Sequence, residues 1–135
     1  METKRDRPSR TNRRLVSVLV IDDEPDTREL LAMVLEKASY SVVTAADGST
    51  ALALLQTVRP QLIFLDLQMP GIDGAHFREQ QRRDAEWLRI PTIVLTGSSD
   101  EPQLDPAIAL TLHKPVKASR LLAIVARYCK PDRLG

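Results

Sequence analysis

A single cysteine, Cys129, stands in a chain of 135 residues, so no intramolecular disulfide framework can form and the composition suits a reducing cytoplasm. Cys129 itself reads as a small apolar residue of the last helix. Aromatic residues are scarce, at 4%, and Trp87 and Tyr40 read as packing residues with no stacking platform between them. Neither sign of charge dominates: 19 Lys and Arg against 18 Asp and Glu leave a formal charge of +1, which gives the whole molecule no case for nucleic acid or acidic lipid as a partner. No apolar run approaches the roughly 20 residues that a membrane-spanning helix needs. The charged N-terminus is followed by no apolar segment, so it is not expected to be a secretory signal. The expectation is a soluble, cytoplasmic protein.

What is present is enough for one domain with one core. Met1 to Arg14 is polar and basic (Lys4, Arg5, Arg7, Arg10, Arg13, Arg14), without apolar periodicity, and is expected to be a disordered tail. Residues 15–130 form the domain, and 131–135 a short C-terminal tail. Within the domain, Val16–Ile21, Ser41–Thr44, Leu62–Leu65, Thr92–Leu95 and Leu110–His113 read as strands. Several are nearly continuous in Val, Ile and Leu, as expected of parallel strands covered on both faces. Amphipathic stretches separate them. Leu30, Leu31, Val34, Leu35 and Ala38 make one stripe; Ala51, Leu54, Leu55 and Val58 a second; Leu121, Leu122, Val125 and Tyr128 a third. Asp73 to Arg83 is a weaker helical segment anchored by Phe77. Ser49 is the expected N-cap of the second helix and Pro60 its stop. Five strand–helix units predict a doubly wound five-stranded parallel sheet, whose functional crevice lies beyond the carboxyl ends of the strands.

The chemically capable residues fall at those ends. Asp22, Asp23 and Glu24 follow the first strand, Asp66 ends the third, Thr96 ends the fourth and Lys114 follows the fifth. Gathered carboxylates repel unless a cation or a proton intervenes, and a hard divalent ion such as Mg2+ suits oxygen ligands of this kind. An Asp beside such an ion, with a Lys ammonium and a Thr hydroxyl nearby, has what phosphoryl transfer needs: positioning and charge neutralisation. Singly, each residue has an ordinary explanation, as a loop acid, a helix-terminal charge or a local backbone partner. Their joint placement after successive strands does not.

The segments VLVIDDEPDTREL, LIFLDLQMPGIDG, PTIVLTG and HKPV, in that order, resemble the receiver domain of two-component response regulators, and the likeness extends from Leu15 to Cys129. The resemblance implies a flavodoxin-like (βα)5 fold with Asp66 as phosphoacceptor. It implies that Asp23 and Asp66 ligate Mg2+, that Asp22 acts mainly through a metal-bound water, and that the backbone carbonyl of Gln68 completes the protein ligands. Lys114 would pair with the phosphoryl group, Thr96 would turn its hydroxyl onto it, and Lys114–Pro115 would be cis. Gly97 would leave room for the donor, Pro70 and Gly71 would shape the loop after Asp66, and Gly74 would keep the start of the next helix open. Gln68 and Ser98 would tune the lifetime of the acyl phosphate. The donor would be a histidine kinase or a histidine phosphotransfer protein. The chain would catalyse only its own phosphorylation and dephosphorylation, and would signal to a downstream protein as a monomer or a phosphorylation-dependent dimer.

Two departures from the family pattern stand out. Thr111 occupies a place where receivers usually carry an aromatic residue. The stretch from Thr96 to Lys114 is short and holds Pro102 and Pro106, so the helix between the fourth and fifth strands is expected to be short or displaced. Asp105 and Pro106 would cap and begin it. Lys130 to Gly135 are too few for a DNA-binding output domain, so the chain is expected to be either a stand-alone receiver or an excerpt cut at a domain edge. His76 and His113 have no metal-ligating neighbours of their kind and read as surface or edge residues. Two rivals remain open: a receiver-like scaffold working without phosphorylation, and a phosphatase of the haloacid dehalogenase type. The second wants an Asp two residues after the nucleophile, where this chain has Gln68.

Overall fold

Strand-forming runs and amphipathic helices alternate along the chain, and a computed structural model of the protein describes residues 13–69, 74–97 and 108–131. In chain order the elements are β1 (Arg14–Ile21), α1 (Pro25–Lys37), β2 (Val42–Ala45), α2 (Gly48–Leu54), β3 (Val58–Asp66), α3 (Gly74–Arg82), the single turn α4 (Ala85–Leu88), β4 (Thr92–Thr96), β5 (Leu110–His113) and α5 (Ala118–Tyr128). The strands form one five-stranded sheet in the order β2-β1-β3-β4-β5, and every pairing is parallel. This is the doubly wound, flavodoxin-like arrangement expected from the alternation. The chain reverses direction across the sheet between β1 and β3, the place where such folds open a crevice.

Side chains alternate between two cores. Val18, Val20, Leu62, Phe64, Ile93 and Leu95 pack on one face against Leu31 and Leu35 of α1 and Leu121, Ile124 and Val125 of α5. Leu19, Ile21, Ile63 and Leu65 face the other way, against Ala51, Leu55, Phe77 and Trp87. The period of two explains why uninterrupted apolar runs suit these strands, since both faces are covered. Tyr40 and Trp87 are core residues. Cys129 is buried just beyond α5, with Sγ 3.5 Å from the carbonyl oxygen of Ser17.

Several boundaries differ from the sequence reading. β1 begins at Arg14, and Arg13, assigned to the tail, is buried with Nη1 3.3 Å from Glu86 Oε1. The basic character of the segment hid a buried ion pair. β3 begins at Val58, so Val58 and Pro60 belong to a strand and do not close the second helix. Pro60 pairs with Val16, while pairing to β4 starts only at Ile63, so the proline sits where the sheet has not reached full width. The N-cap of α2 is Asp47, not Ser49: its Oδ1 accepts from Thr50 N at 2.7 Å. Leu30 is 49% exposed although it falls on the apolar stripe. Thr111 lies half-buried in β5, paired with Val94. The expected short helix between β4 and β5, with Ser98, Pro102, Asp105 and Pro106, lies outside the described residues, as do Pro70 and Gly71.

The end of α1 shows one strained residue. Tyr40 N–H donates to Leu35 O at 3.1 Å and Ser39 N–H to Glu36 O at 3.0 Å, the paired bonds of a Schellman turn. Ser39 takes the left-handed conformation this requires, with φ 73°, a place where glycine carries no Cβ penalty. Ser39→Gly is therefore expected to raise the stability by about 1 kcal/mol. In denaturant unfolding this appears as a higher midpoint with an unchanged slope.

Candidate phosphoacceptor site

The parallel register lines up the strand ends. Ile21 pairs with Leu65, Asp66 with Leu95, and Thr96 with His113. The residues that follow β1, β3, β4 and β5 therefore emerge side by side on one edge. Lys114 N–H donates to Thr96 O at 2.8 Å, which carries the β4–β5 ladder one residue past the strand and brings the lysine to the acids.

Its ammonium is the hub. Nζ lies 2.9 Å from Asp22 Oδ2, 3.1 Å from Glu24 Oε1 and 3.2 Å from Asp66 Oδ2. Asp66 Oδ1 accepts from Gln68 N at 2.8 Å, and Asp22 Oδ1 from Glu24 N at 2.9 Å, so each carboxylate has one oxygen fixed by the backbone. Arg28 Nη1 donates to Asp22 O at 2.8 Å. Asp22 is 0% exposed and Asp66 2%. Burial pushes the Asp22 carboxyl above its usual range; Lys114 and the Glu24 N–H pull it back, and the charge of Asp66 pushes it up again. Glu24 is held below its usual range by Lys114 and then by Thr27. Burial works against the Lys114 charge, yet the contacts with Asp22 and Glu24 outweigh it and hold its pKa above the usual lysine value.

The acids also meet one another. One oxygen each from Asp22, Asp23 and Asp66 lies within 4.8 Å of the others. Asp22 Oδ2, although at ion-pair distance from Lys114, has no hydrogen bond of proper direction among the described residues. A buried carboxylate oxygen left in that condition, in a cluster of hard oxygen donors, fits the neighbourhood of a divalent cation.

Above them opens a cleft of about 540 Å³ lined by Asp23, Glu24, Thr27, Asp66, Gln68, Gly97, Lys114 and Pro115. Of the residues singled out in the sequence, Asp23, Asp66, Gln68 and Lys114 line it, and Asp22 lies buried beside them. Thr96 is buried at the end of β4 and does not form part of the wall. The Lys114–Pro115 peptide is cis. Sequence reasoning assigned no role to the side chain of Glu24, which shares the lysine, and, while the resemblance made Gln68 a position that tunes the acyl phosphate, it did not foresee that Gln68 Oε1 accepts from Gly97 N at 3.0 Å across the cleft. The Glu24–Thr27 spacing, joined by a 2.9 Å hydrogen bond, is the local signal that could have placed the first. Nothing in the sequence around Gln68 marks its bond to Gly97.

The family model for the response regulator receiver domain matches residues 18–126, and the chain belongs to that family, the phosphorelay receivers of two-component systems. It is similar to the chemotaxis response regulator CheY4 of Vibrio cholerae, with a TM-score of 0.74 at 30% identity over 85% of this chain and 99% of that one. It is 40% identical over 122 residues to the DNA-binding dual master transcriptional regulator RpaA of Synechocystis sp., covering 87% of this chain and 51% of that protein. It is 34% identical over 126 residues to the nitrogen assimilation regulatory protein NtrX of Azorhizobium caulinodans, covering 87% of this chain and 27% of that protein. The chain thus spans about half of one regulator and about a quarter of the other.

Gly74 is what lets α3 start against the end of β3. A Cβ there would meet Asp66 O at 2.5 Å and Leu67 Cα at 2.7 Å, both backbone atoms that cannot swing aside. Gly74→Ala is expected to destabilise the fold by about 1–3 kcal/mol. A lowered melting temperature, with shifted amide resonances at residues 66–68, would report it.

Proposed function

We propose that the chain accepts a phosphoryl group on Asp66 from a phosphohistidine donor, a histidine kinase or a histidine phosphotransfer protein, and signals by protein–protein contact. The observation that carries this reading is the lysine hub, one ammonium within 3.2 Å of Asp66 and 2.9 Å of Asp22 at the floor of an open cleft. An Asp66 carboxylate oxygen attacks phosphorus, the new P–O bond forms, and the P–N bond to the donor imidazole breaks with its electron pair returning to nitrogen. The backbone N–H of Gln68 holds Asp66 in place for this, and Lys114 is near enough to leave Glu24 and meet the incoming phosphoryl oxygens. Thr96, at the adjacent strand end, is assigned the remaining hydroxyl contact. Such a reaction is governed by positioning and charge.

Asp22, Asp23, Asp66 and the carbonyl of Gln68 are the groups that would hold Mg2+. When bound, the ion supplies the positive charge that offsets the clustered carboxylates and the phosphoryl oxygens. The signalling unit is taken to start at Arg13 rather than Leu15, because that guanidinium is part of the packed structure, and to end at Lys130. The chain's only catalysis, on this reading, is its own phosphorylation and dephosphorylation, in the cytoplasm where such donors work. Among the described residues no helix is long and apolar enough to cross a membrane.

Labelling with acetyl phosphate, followed by intact-mass analysis, tests the reading. One added phosphoryl group is expected in the presence of Mg2+, none with the metal chelated, and none in Asp66→Asn, whose melting profile should stay close to that of the parent. If no label appears from acetyl phosphate or from a phosphohistidine protein, the scaffold reading takes its place.

A second outcome follows from the bond that spans the cleft. Gln68 Oε1 occupies the Gly97 N–H, a donor available to a phosphoryl oxygen once released. Removing a competing hydrogen bond of about 1 kcal/mol corresponds to about a fivefold change. Gln68→Ala is expected to be labelled about that much faster under the same conditions, as read by the time course of labelling.

A further inference from the structure

Helices α1 and α5 cover the same face of the sheet, and their outward sides carry opposite charge. We propose that the two helices form one self-complementary surface, on which two copies of this chain associate about a two-fold axis. The association needs no phosphorylation at Asp66.

Charge spacing is the first support. On α1, Asp26, Glu29 and Glu36 are exposed. Lys117, the N-cap of α5, is exposed as well, with Arg120 and Arg127 beyond it, and no acid stands between Ala118 and Tyr128. Each row steps by three residues and then by seven, which on a helix keeps it to one side over about 15 Å. None of these side chains is in an ion pair among the described residues. The two rows match in length and spacing, and neither is neutralised by the other within one copy.

Direction is the second support. Both helices begin at the cleft, where Thr27 and Pro115 line the wall. Both end near Ser17: its N–H donates to Ser41 Oγ at 2.8 Å just past α1, and its carbonyl oxygen lies 3.5 Å from Cys129 Sγ just past α5. α1 and α5 therefore run the same way, with their first turns at one level and their last turns at another. A two-fold axis parallel to them sets α1 of one copy on α5 of the other, still in the same direction. Asp26 then faces Lys117 of the other copy, Glu29 faces Arg120 and Glu36 faces Arg127, and the symmetry makes each contact twice.

The third support lies between the charges. Leu30 and Met33, one turn apart on α1, are 49% and 48% exposed. At the matching height α5 offers the exposed Ala123 and Ala126, and long side chains set against short ones let two helices approach closely. Covering Leu30 and Met33 adds apolar burial to the ion pairs, which at an exposed surface contribute little singly. A polyanion such as nucleic acid would suit α5 but be repelled by α1, and a polycation the reverse. A second copy presents both rows, in the order and spacing that the first requires.

Two short helices per copy make a small interface, so the expected dimer is weak, with a Kd on the order of 100 µM in about 50 mM NaCl. Sedimentation velocity of the full chain, from about 10 µM to about 1 mM, should show the passage from monomer to dimer. Raising NaCl to about 500 mM should weaken the association about tenfold. Two double variants, Glu29→Lys with Glu36→Lys and Arg120→Glu with Arg127→Glu, should each stay monomeric at the higher concentration, with thermal unfolding like the parent's. An equimolar mixture of the two, in which unlike rows face each other again on both sides, should dimerise as the parent does. Self-association is read without any phosphoryl donor, so its outcome and that of Asp66 labelling are separate. The proposal is overturned if the parent is monomeric at about 1 mM in low salt. It is equally overturned if either double variant dimerises like the parent, or if the mixture stays monomeric.

Discussion

The structure turns on one electrostatic constraint: the carboxylates of Asp22 and Asp66 are taken almost wholly out of water on adjoining strands, and an ammonium must stand between them. A buried, unpaired carboxylate costs several kcal/mol, and a second one beside it adds repulsion. Lys114 meets that requirement, with Asp22 Oδ2 at 2.9 Å and Asp66 Oδ2 at 3.2 Å. It can do so only because β5 lies next to β4 and its last rung, from Lys114 N to Thr96 O, continues the ladder to the edge where the acids emerge. Sheet order, parallel register and the placement of the lysine are one requirement seen at three scales.

The same constraint explains why the site stays adaptable. Lys114 is shared with Glu24, whose side chain is 61% exposed, so one of its three acid contacts can be given up to solvent at little cost. The contact to Asp22 is held by burial instead. A new negative charge at Asp66 would draw the ammonium from the weakest of these partners first. The cleft therefore sets two buried acids, Asp22 and Asp66, and one exposed acid, Glu24, around the single ammonium of Lys114.

Much of this was visible in the residues themselves. Strands buried on both faces leave an apolar signature that survives without homologues, and chemistry placed after successive strands is informative because the topology gathers strand ends. What escaped the sequence depends on partners far along the chain. Pro60 looked like a helix stop because a lone proline carries no sign that its strand has only one neighbour at that point. Arg13 looked like part of a solvated tail because its counterion, Glu86, lies 73 positions away. Leu30 fitted the apolar period of α1 yet is 49% exposed, since the sheet covers a narrower stripe than the pattern offers. Asp47 took the cap from Ser49 because its side chain reaches Thr50 N, a choice that two capping residues so close together leave undecided. The Gln68–Gly97 bond joins positions 29 residues apart, and no local spacing encodes it.

The presence of Thr111, in place of an aromatic residue, bears on how the edge that holds Asp66 connects to the rest of the sheet. A ring that moves between exposed and buried positions couples by volume: it fills a space or vacates it. Threonine has too little volume for that, and here it is half-buried and paired with Val94 in mid-strand. Among the described residues two polar connections lie at the edge. Gln68 to Gly97 ties the end of β3 to the end of β4, and Lys114 ties the end of β5 to the acids of β1 and β3. Both contacts involve groups that a phosphoryl oxygen would compete for. If the proposed phosphorylation of Asp66 takes place, the phosphoryl group would compete for both links, a route through charge and hydrogen bonding that does not call on the volume of the side chain at Thr111.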